Sequence, residues 1–241
     1  VVALGYTMVY GIIQLINFAH GEVVMIGAMV AYSVIVALVG SGVPLPPLAI
    51  LLTGALVAIP VCMAVGFTLE RVAYRPLRNA PRLAPLITAI GLSIILQHLA
   101  MIVWSRNPLP YPQIVQTVSY HVTANPNGAP ITNVPIAIIA VSVAMMAGLT
   151  ALVYRTKLGI AMRATAQNQP VAGLMGIDIN RVIALTFVIA GGLGSVAGVM
   201  VGTYYGIAHY QMGFILGLKA FSAAVLGGIG NLAGAMLGGL L

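Results

Sequence analysis

The run VIALTFVIAGGLGSVAGVMVGT, residues 182–203, contains no charged side chain. Because ~30 Å of hydrocarbon takes about 20 apolar residues in a helix, this run predicts a membrane-spanning helix. Comparable apolar runs occupy 1–18, 22–40, 48–69, 84–104 and 134–153. A last hydrophobic region, 212–241, is interrupted by Lys219, Gly227, Gly228 and Gly230. The pattern predicts an all-α, polytopic membrane helix bundle with six clear spans, plus one or two in the last region, which we expect to be truncated.

The composition agrees with lipid as the solvent for most of the surface. Of the 241 residues, 61% are hydrophobic and 5% are charged, whereas soluble domains carry about 25% charged residues. This excludes a soluble enzyme, and a disordered chain would show the opposite composition. An outer-membrane barrel is excluded because its strands alternate apolar and polar residues. We expect one transmembrane domain, 1–241, and we expect it to be a fragment that lacks the natural N-terminus and the last C-terminal spans.

The basic residues predict the orientation. The formal net charge is +7, and most Lys and Arg residues stand in two clusters, which are Arg71, Arg75, Arg78 and Arg82, then Arg155, Lys157, Arg163 and Arg181. Basic clusters beside spans mark the cytoplasmic side, so 70–82 and 154–181 are predicted to face the cytoplasm and 105–133 the outside. A nucleic-acid partner is not expected, because that would call for a continuous basic face. The proline-rich outer loop fits a lid, a docking surface or a plain connector.

The chain carries few groups that perform chemistry. It has three Asp and Glu residues and four His, without metal-ligand spacing, and neither HExxH nor G-x-S-x-G occurs. An intramembrane protease or metal hydrolase needs paired acids or a metal cluster. Apart from His98 and Lys219, we expect almost no ionisable group inside the spans. The sequence therefore predicts no catalytic residue and no bound metal, and the energy for any transport should come from elsewhere.

Polar residues inside the spans predict a weakly polar translocation path. The candidates are Gln14, Asn17, His20, Thr88, Gln97 and His98. Five residues of the span 84–104 share one helical face by spacing, namely Ala84, Thr88, Gly91, Ile95 and His98. Hydrogen bonds between helices are the alternative interpretation for each candidate.

The segment NFAHGE, residues 17–22, separates the first two apolar runs. It is short enough to be a surface turn or a break within the membrane. If it is a break, the runs 1–18 and 22–40 are not independent crossings.

An internal repeat is visible near the end of the chain. Residues 191–202 read GGLGSVAGVMVG and residues 227–238 read GGIGNLAGAMLG. Each copy has glycines four residues apart, which are Gly194, Gly198 and Gly202, then Gly230, Gly234 and Gly238. Four residues make about one helical turn, so each copy predicts a flat helix face for close helix packing. Packing within the chain is one interpretation, and a subunit interface or sliding surface is the other.

The basic loop 154–181 predicts a short helix. Asn168 and Gln169 precede Pro170, which suits a first helical position, and Gly176 suits the helix end. A helix over 170–175 would present Leu174 and Met175 between two spans. An exposed apolar helix in a basic loop is typical of a docking site, and the alternative is a helix lying flat on the membrane.

Four blocks of the sequence carry a family resemblance. They are GYTMVYGIIQLINFAHGE (5–22), ERVAYRPLR (70–78), GIAMRATA (159–166) with AGLMGI (172–177), and KAFSAAVLGGIGNLAGAMLGG (219–239). Together they resemble the permeases of bacterial branched-chain amino-acid ABC importers, in particular the shorter, LivH-type permease of the pair. The literal Glu-Ala-Ala of the general ABC coupling motif is absent.

The resemblance implies a transport subunit rather than an enzyme. Its partners would be a second permease subunit in a heterodimer, two cytoplasmic ATP-binding subunits and a periplasmic solute-binding protein. ATP and magnesium would bind those ATPase subunits, and this chain would bind no cofactor. The resemblance assigns the ATPase-coupling role to Gly159, Arg163, Ala164, Ala166, Pro170, Ala172, Leu174, Met175 and Gly176.

The substrates implied are leucine, isoleucine and valine. Relatives in the same family carry urea, amides or other small solutes, which is the alternative. A channel or facilitator that needs no ATP is a further alternative, and the docking helix in the basic loop argues against it.

Overall fold

The computed structural model describes residues 1–13, 17–42, 44–78, 80–81, 83–114, 119–120, 131–228 and 230–239. Most of these residues are helical, and one π-helical turn, Glu70–Tyr74, continues the third helix. The helices are α1 (Val2–Ile13), α2 (His20–Gly40), α3 (Pro47–Leu69), α4 (Leu83–Val103), α5 (Asn133–Arg155), α6 (Lys157–Gln167), α7 (Gln169–Leu174), α8 (Ile179–Tyr205), α9 (Met212–Leu226) and α10 (Leu232–Gly238).

Two short antiparallel ladders join the loops. Strand β1 (Leu109–Pro110) pairs with β4 (Ile207–Ala208), and β2 (Ser119–Tyr120) pairs with β3 (Ile131–Thr132). The first ladder ties the loop after α4 to the end of α8. Residues 115–118 and 121–130 of the predicted outer loop lie outside the described residues.

Five described helices are long and apolar enough to cross a membrane, namely α2, α3 with its π-helical turn, α4, α5 and α8. The predicted count of six clear spans is therefore wrong. The described part of the first apolar run forms α1 from Val2 to Ile13, and it is not among these five helices. The last region forms the 15-residue α9 and the 7-residue α10. The multi-pass helical bundle itself is confirmed.

Helices α2, α3 and α8 pack against one another and form the centre of the bundle. A Cβ atom at Gly27 of α2 would lie 2.7 Å from Ser195 Cα, and one at Gly66 of α3 would lie 2.6 Å from the Phe187 carbonyl oxygen. In lipid, helices associate through dispersion contacts, and small residues bring the backbones close enough for those contacts. The glycines of α2, α3 and α8 thus determine which helices form the core.

The two basic clusters lie at the same end of the bundle. Arg78 donates a hydrogen bond of 2.6 Å to Asn180 Oδ1, and the rings of Tyr74 and Phe187 are 5.1 Å apart. We call this end, which carries the described members of both clusters, the basic end. At the opposite end, Trp104 Nε1 donates to Ser33 Oγ at 2.7 Å. This arrangement agrees with the orientation predicted from the positive residues.

The second glycine copy departs from the predicted helix face. Gly228 and Gly230 have φ angles of +82° and +96°, and α10 begins only at Leu232. The expectation that Gly230 lies on one helix face with Gly234 and Gly238 is therefore wrong. Asn231 begins the helix instead, because its Oδ1 accepts a hydrogen bond of 3.1 Å from Gly234 N.

Candidate functional site

The first candidate site is the break between α1 and α2. Asn17, His20 and Glu22 are all buried there. Glu22 faces Ser93 at the middle of α4, and the next residue, Val23, accepts a 3.5 Å hydrogen bond from the Cys62 thiol within α3. The segment NFAHGE is therefore a break inside the bundle and not a surface turn. Irregular backbone at such a depth occurs where it is buried in protein or lines a cavity.

Glu22 is the most unusual side chain of this site. Its Oε1 accepts hydrogen bonds from Ser93 Oγ at 2.8 Å and from Gln97 Nε2 at 2.9 Å. Its Oε2 has no hydrogen-bond partner among the described residues, and a Cβ at Gly213 of α9 would lie 2.5 Å from it. A buried carboxylate is costly unless it is paired. Glu22 is thus suited to hold a proton or to accept one more donor.

Two other residues of the break, His20 and Asn17, contact α1 and the π-helical turn that continues α3. The His20 ring stands edge-on to Tyr6, with centroids 5.0 Å apart, and it fills the space that a side chain at Gly5 would need. Asn17 Oδ1 accepts a hydrogen bond of 2.8 Å from Tyr74 OH. These contacts hold the segment between α1 and α2 against Tyr6 and Tyr74. Among the described residues, the buried atoms His20 Nε2 and Tyr6 OH have no hydrogen-bond partner.

The structure brings together three of the predicted path residues and separates the others. Asn17, His20 and Gln97 lie around the break. Thr88 is half-buried on α4, and His98 is exposed, with its Nδ1 2.8 Å from the Ile94 carbonyl oxygen. Gln14 lies outside the described residues. For Asn17 and Gln97, the alternative interpretation of hydrogen bonds between helices describes the observed contacts.

Glu22 was missed by the sequence argument, which placed almost no ionisable group inside the spans. Its signal was its rarity, because it is one of three acidic residues in the chain and stands between two apolar runs. A buried ion pair between Glu70 and Arg78 at the basic end was also missed. Together with the Arg78–Asn180 hydrogen bond, this pair joins the π-helical turn to the start of α8.

The second candidate site is the loop 154–181 at the basic end. Helix α6 was not predicted. Its start is capped by Thr156, whose Oγ1 accepts from Gly159 N at 3.0 Å. Gly159, Met162 and Thr165 are buried against the bundle, so α6 forms an anchored base for the rest of the loop.

Helix α7 projects from that base and confirms the predicted short helix, one residue earlier than expected. Asn168 Oδ1 accepts from Val171 N at 3.1 Å, and Gly176 has a φ of +83°, which a glycine adopts without strain. Leu174 and Met175 are 87% and 80% exposed. The tip of the loop is thus a defined apolar projection.

The remaining coupling candidates divide between base and tip. Gly159, Arg163, Ala164 and Ala166 lie on α6, and Pro170 and Ala172 lie on α7. Ala172 is buried. The Arg163 guanidinium lies 5.1 Å from the centre of the Tyr154 ring.

A cleft of about 160 Å³ lies between the loop 154–181 and α1. It is lined on the α1 side by Thr7, Met8 and Ile12, and on the α6 side by Met162, Arg163 and Ala166. Because α6 packs on α1 as well as on α8, a displacement of the loop would move α1. Helix α1 also contacts His20 at the break.

Comparison with known proteins identifies the family. The family model described as branched-chain amino acid transport system / permease component matches residues 1–241. The chain belongs to this permease family. It is 47% identical to the high-affinity branched-chain amino acid transport system permease protein BraD of Pseudomonas aeruginosa, over 100% of this chain and 78% of that protein. It is 45% identical to the corresponding LivH of Escherichia coli, with the same coverage. No solved structure matches the chain.

Within this permease chain, the first set of glycines packs inside the subunit. A Cβ at Gly194 would lie 3.4 Å from the His20 ring. One at Gly198 would overlap the Val24 carbonyl oxygen, and one at Gly202 would lie 2.6 Å from the Tyr111 ring. Helix α8, which contains the first copy of the repeat, therefore also forms one wall of the break.

Proposed function

We propose that this chain is a permease subunit of an ATP-driven importer for branched-chain amino acids in a bacterial inner membrane. Its partners are a second permease subunit, two cytoplasmic ATP-binding subunits that bind ATP and magnesium, and a periplasmic solute-binding protein. The transport names of the relatives support the substrate class, and the basic end supports the orientation. The energy enters from the ATP-binding subunits through the loop 154–181.

The observation that carries this proposal is the exposed apolar tip of α7. Leu174 and Met175 project from the basic end of the bundle, and both side chains are largely exposed. Burying one leucine side chain stabilises a complex by roughly 1.5–3 kcal/mol. An apolar tip on a rigid base fits a groove of an ATP-binding subunit, whereas a helix lying flat in lipid would need no anchored base.

The contacts of α6 supply the route by which docking affects the membrane part. Helix α6 packs on α1, α5 and α8, and α1 precedes the break at 17–22 in the chain. Movement of the ATP-binding subunits would thus displace a short helix beside the buried cluster of Asn17, His20 and Glu22. Broken helices form the substrate site in many transporters.

The test is Leu174→Arg in the assembled importer. An unpaired charge in an apolar groove is unfavourable by at least as much as the lost leucine burial, and the two effects add, so binding of the ATPase should weaken at least about 100-fold. We expect ATP-driven uptake of labelled leucine to disappear and the ATPase to copurify poorly, while the permease remains in the membrane at normal levels. Uptake of urea by the same cells tests the alternative substrate.

Leu48→Arg is the matched control. Leu48 is 62% exposed and lies at the opposite end of the bundle, so this variant should keep its ATPase. If Leu174→Arg transports leucine normally with its ATPase bound, the loop does not couple ATP hydrolysis and the facilitator interpretation is favoured.

A further inference from the structure

The π-helical turn Glu70–Tyr74 at the end of α3 is connected to both candidate sites. Within it, Arg75 N donates a hydrogen bond of 2.8 Å to the Glu70 carbonyl oxygen, which is the wider spacing of a π-helix. Such turns are rare, and they frequently lie at functional sites. The first residue of the turn, Glu70, pairs with Arg78, and the last, Tyr74, is bonded to Asn17 at the break.

Arg78 joins this turn to the loop 154–181. Its guanidinium donates one hydrogen bond to Glu70 Oε1 and another, of 2.6 Å, to Asn180 Oδ1. Asn180 lies in the first turn of α8. Its neighbour Ile179 packs against α7, since a Cβ at Gly173 would lie 3.4 Å from Ile179 Cδ1. A displacement of the apolar tip of the loop would therefore reach Arg78 across only a few residues.

Tyr74 joins the same turn to the break. Its hydroxyl donates a hydrogen bond of 2.8 Å to Asn17 Oδ1, and both residues are buried. The carbonyl oxygen of Asn17 accepts a hydrogen bond of 3.1 Å from His20 N, at the start of α2. The position of Tyr74 therefore determines where the chain runs between α1 and α2.

The turn is suited to adopt a second arrangement. Arg78 Nε is buried and has no hydrogen-bond partner among the described residues, which raises the free energy of the observed arrangement. Each residue of an α-helix advances by about 100° around the axis, so replacing the π turn by an α turn would rotate the residues that follow by about one such step. That rotation would carry Arg78 away from Asn180. Coupling between distant sites requires an element with two discrete arrangements.

We propose that Arg78 and Tyr74 are positioning residues for transport, which carry the movement of the docked loop through the π-helical turn to Asn17 at the break. This inference rests on the proposed function, because it takes the ATP-binding subunits as the origin of that movement. It adds a route that is separate from the contact of α6 with α1, since it reaches the break from the side of α3 and α8.

The first experiment removes the contact on the loop side. Asn180 is exposed, so Asn180→Ala deletes the hydrogen bond to Arg78 without opening the core, and Asn180→Asp keeps an oxygen that accepts it. Leucine uptake and ATP hydrolysis are measured together in liposomes that contain the assembled importer and its binding protein. We expect the leucine imported per ATP hydrolysed to fall about fivefold in Asn180→Ala and to recover in Asn180→Asp, with the ATPase bound in both.

The second experiment removes the contact at the break. Tyr74→Phe deletes only the hydroxyl that is bonded to Asn17, and it should lower the same ratio about fivefold. Tyr111→Phe is the matched control, because Tyr111 is also buried and its hydroxyl has no hydrogen-bond partner among the described residues. Arg71→Gln removes an exposed arginine from the same π-helical turn. Both controls should keep the ratio of the wild type.

Hydrogen exchange tests the link without transport. In the purified complex, mass spectrometry measures amide exchange in the peptide that covers 17–22. Asn180→Ala and Tyr74→Phe should both accelerate this exchange about fivefold, since the opening free energy of the break falls, whereas Arg71→Gln should not change it. A purely local role of Asn180 would leave the exchange unchanged, because its hydrogen bond is to Arg78 and not to the break.

The outcomes separate this inference from the proposed function. A normal ratio of leucine to ATP in Asn180→Ala or in Tyr74→Phe overturns the inference. Loss of the ATPase from Asn180→Ala, or no recovery in Asn180→Asp, also overturns it, because Asn180 would then act in docking or through its amide. If the wild-type importer hydrolyses ATP without importing leucine, the proposed function fails, and the exchange measurement alone decides whether the loop and the break are linked.

Discussion

The segments 191–202 and 227–238 place glycines at the same relative positions, and the structure treats them in opposite ways. The first copy lies inside the continuous helix α8. The second begins with a turn through Gly228 and Gly230, and its helix α10 starts at Leu232. Two similar stretches of sequence therefore form a buried helix face in one place and the start of a helix in the other.

The difference lies in what stands opposite the glycines. Glycine destabilises a helix interior by about 1 kcal/mol, so a glycine-rich helix needs compensating contacts. Gly191 and Gly198 meet the backbones of α3 and α2. A Cβ at Gly228 or Gly230 would meet nothing within 4 Å, so no packing offsets the cost and the chain turns. Ser195 and Asn231 stand at equivalent positions, and both residue types are suited to begin a helix, so the difference between the copies lies in the packing of their glycines.

The largest effect is expected for Gly198→Leu in the first copy. The new side chain would overlap the Val24 carbonyl oxygen and approach the Ala28 nitrogen, so α2 and α8 must separate. Inserting extra side-chain volume into a packed core lowers the stability by about 1–3 kcal/mol where the neighbouring groups can move. The loss is larger where the neighbouring group is backbone. We expect almost no monodisperse protein after extraction from the membrane, as measured by size-exclusion chromatography.

Gly148→Leu is the control for this variant. Gly148 lies in the spanning helix α5, and a Cβ there would meet nothing within 4 Å. It should give a wild-type elution profile. A wild-type profile for Gly198→Leu as well would show that α2 and α8 are not packed as described.

An intermediate effect is expected for Gly234→Leu in the second copy. Its Cβ would overlap the Gly227 carbonyl oxygen, which forces α10 away from α9 but leaves the contacts of α8 with α2 and α3 in place. Folded protein should be recovered with a lowered thermal unfolding midpoint. Gly239→Leu, where the nearest atoms to a Cβ are 3.5 Å away, should change the midpoint less. Equal midpoints for the two variants would contradict the packing of α10.

The smallest effect is expected for Gly230→Ala, which tests the turn without a steric clash. A φ of +96° is unfavourable for alanine, so the variant should be destabilised by about 1 kcal/mol. Gly91→Ala in α4 also enters open space, and there alanine favours the helix by about 0.5–1 kcal/mol. Thermal unfolding should therefore shift in opposite directions for the two substitutions. If both variants were destabilised, the positive φ of Gly230 would not explain the effect of Gly230→Ala.

Much of the local structure followed from the sequence. Long uncharged runs predicted the spanning helices, because backbone groups in lipid must be paired within a helix. Asn168, Pro170 and Gly176 predicted α7, since capping residues act through bonds to near neighbours in the chain. Helix α6 was missed because its mixed polar and apolar residues resemble a loop, and its buried side depends on contacts with α1 and α8.

Other features could be decided only by the tertiary structure. The sequence by itself determined that the chain lies in a membrane, which end carries the positive charge and where glycines allow close approach, because composition and spacing act locally. It did not determine that 17–22 is a break inside the bundle, that Glu22 meets Ser93 and Gln97, that His98 faces outward, or that Gly230 lies in a turn outside the packed helix face of Gly234 and Gly238. Each of these depends on which helix stands opposite, and in lipid that choice rests on the fit between surfaces distant in the chain.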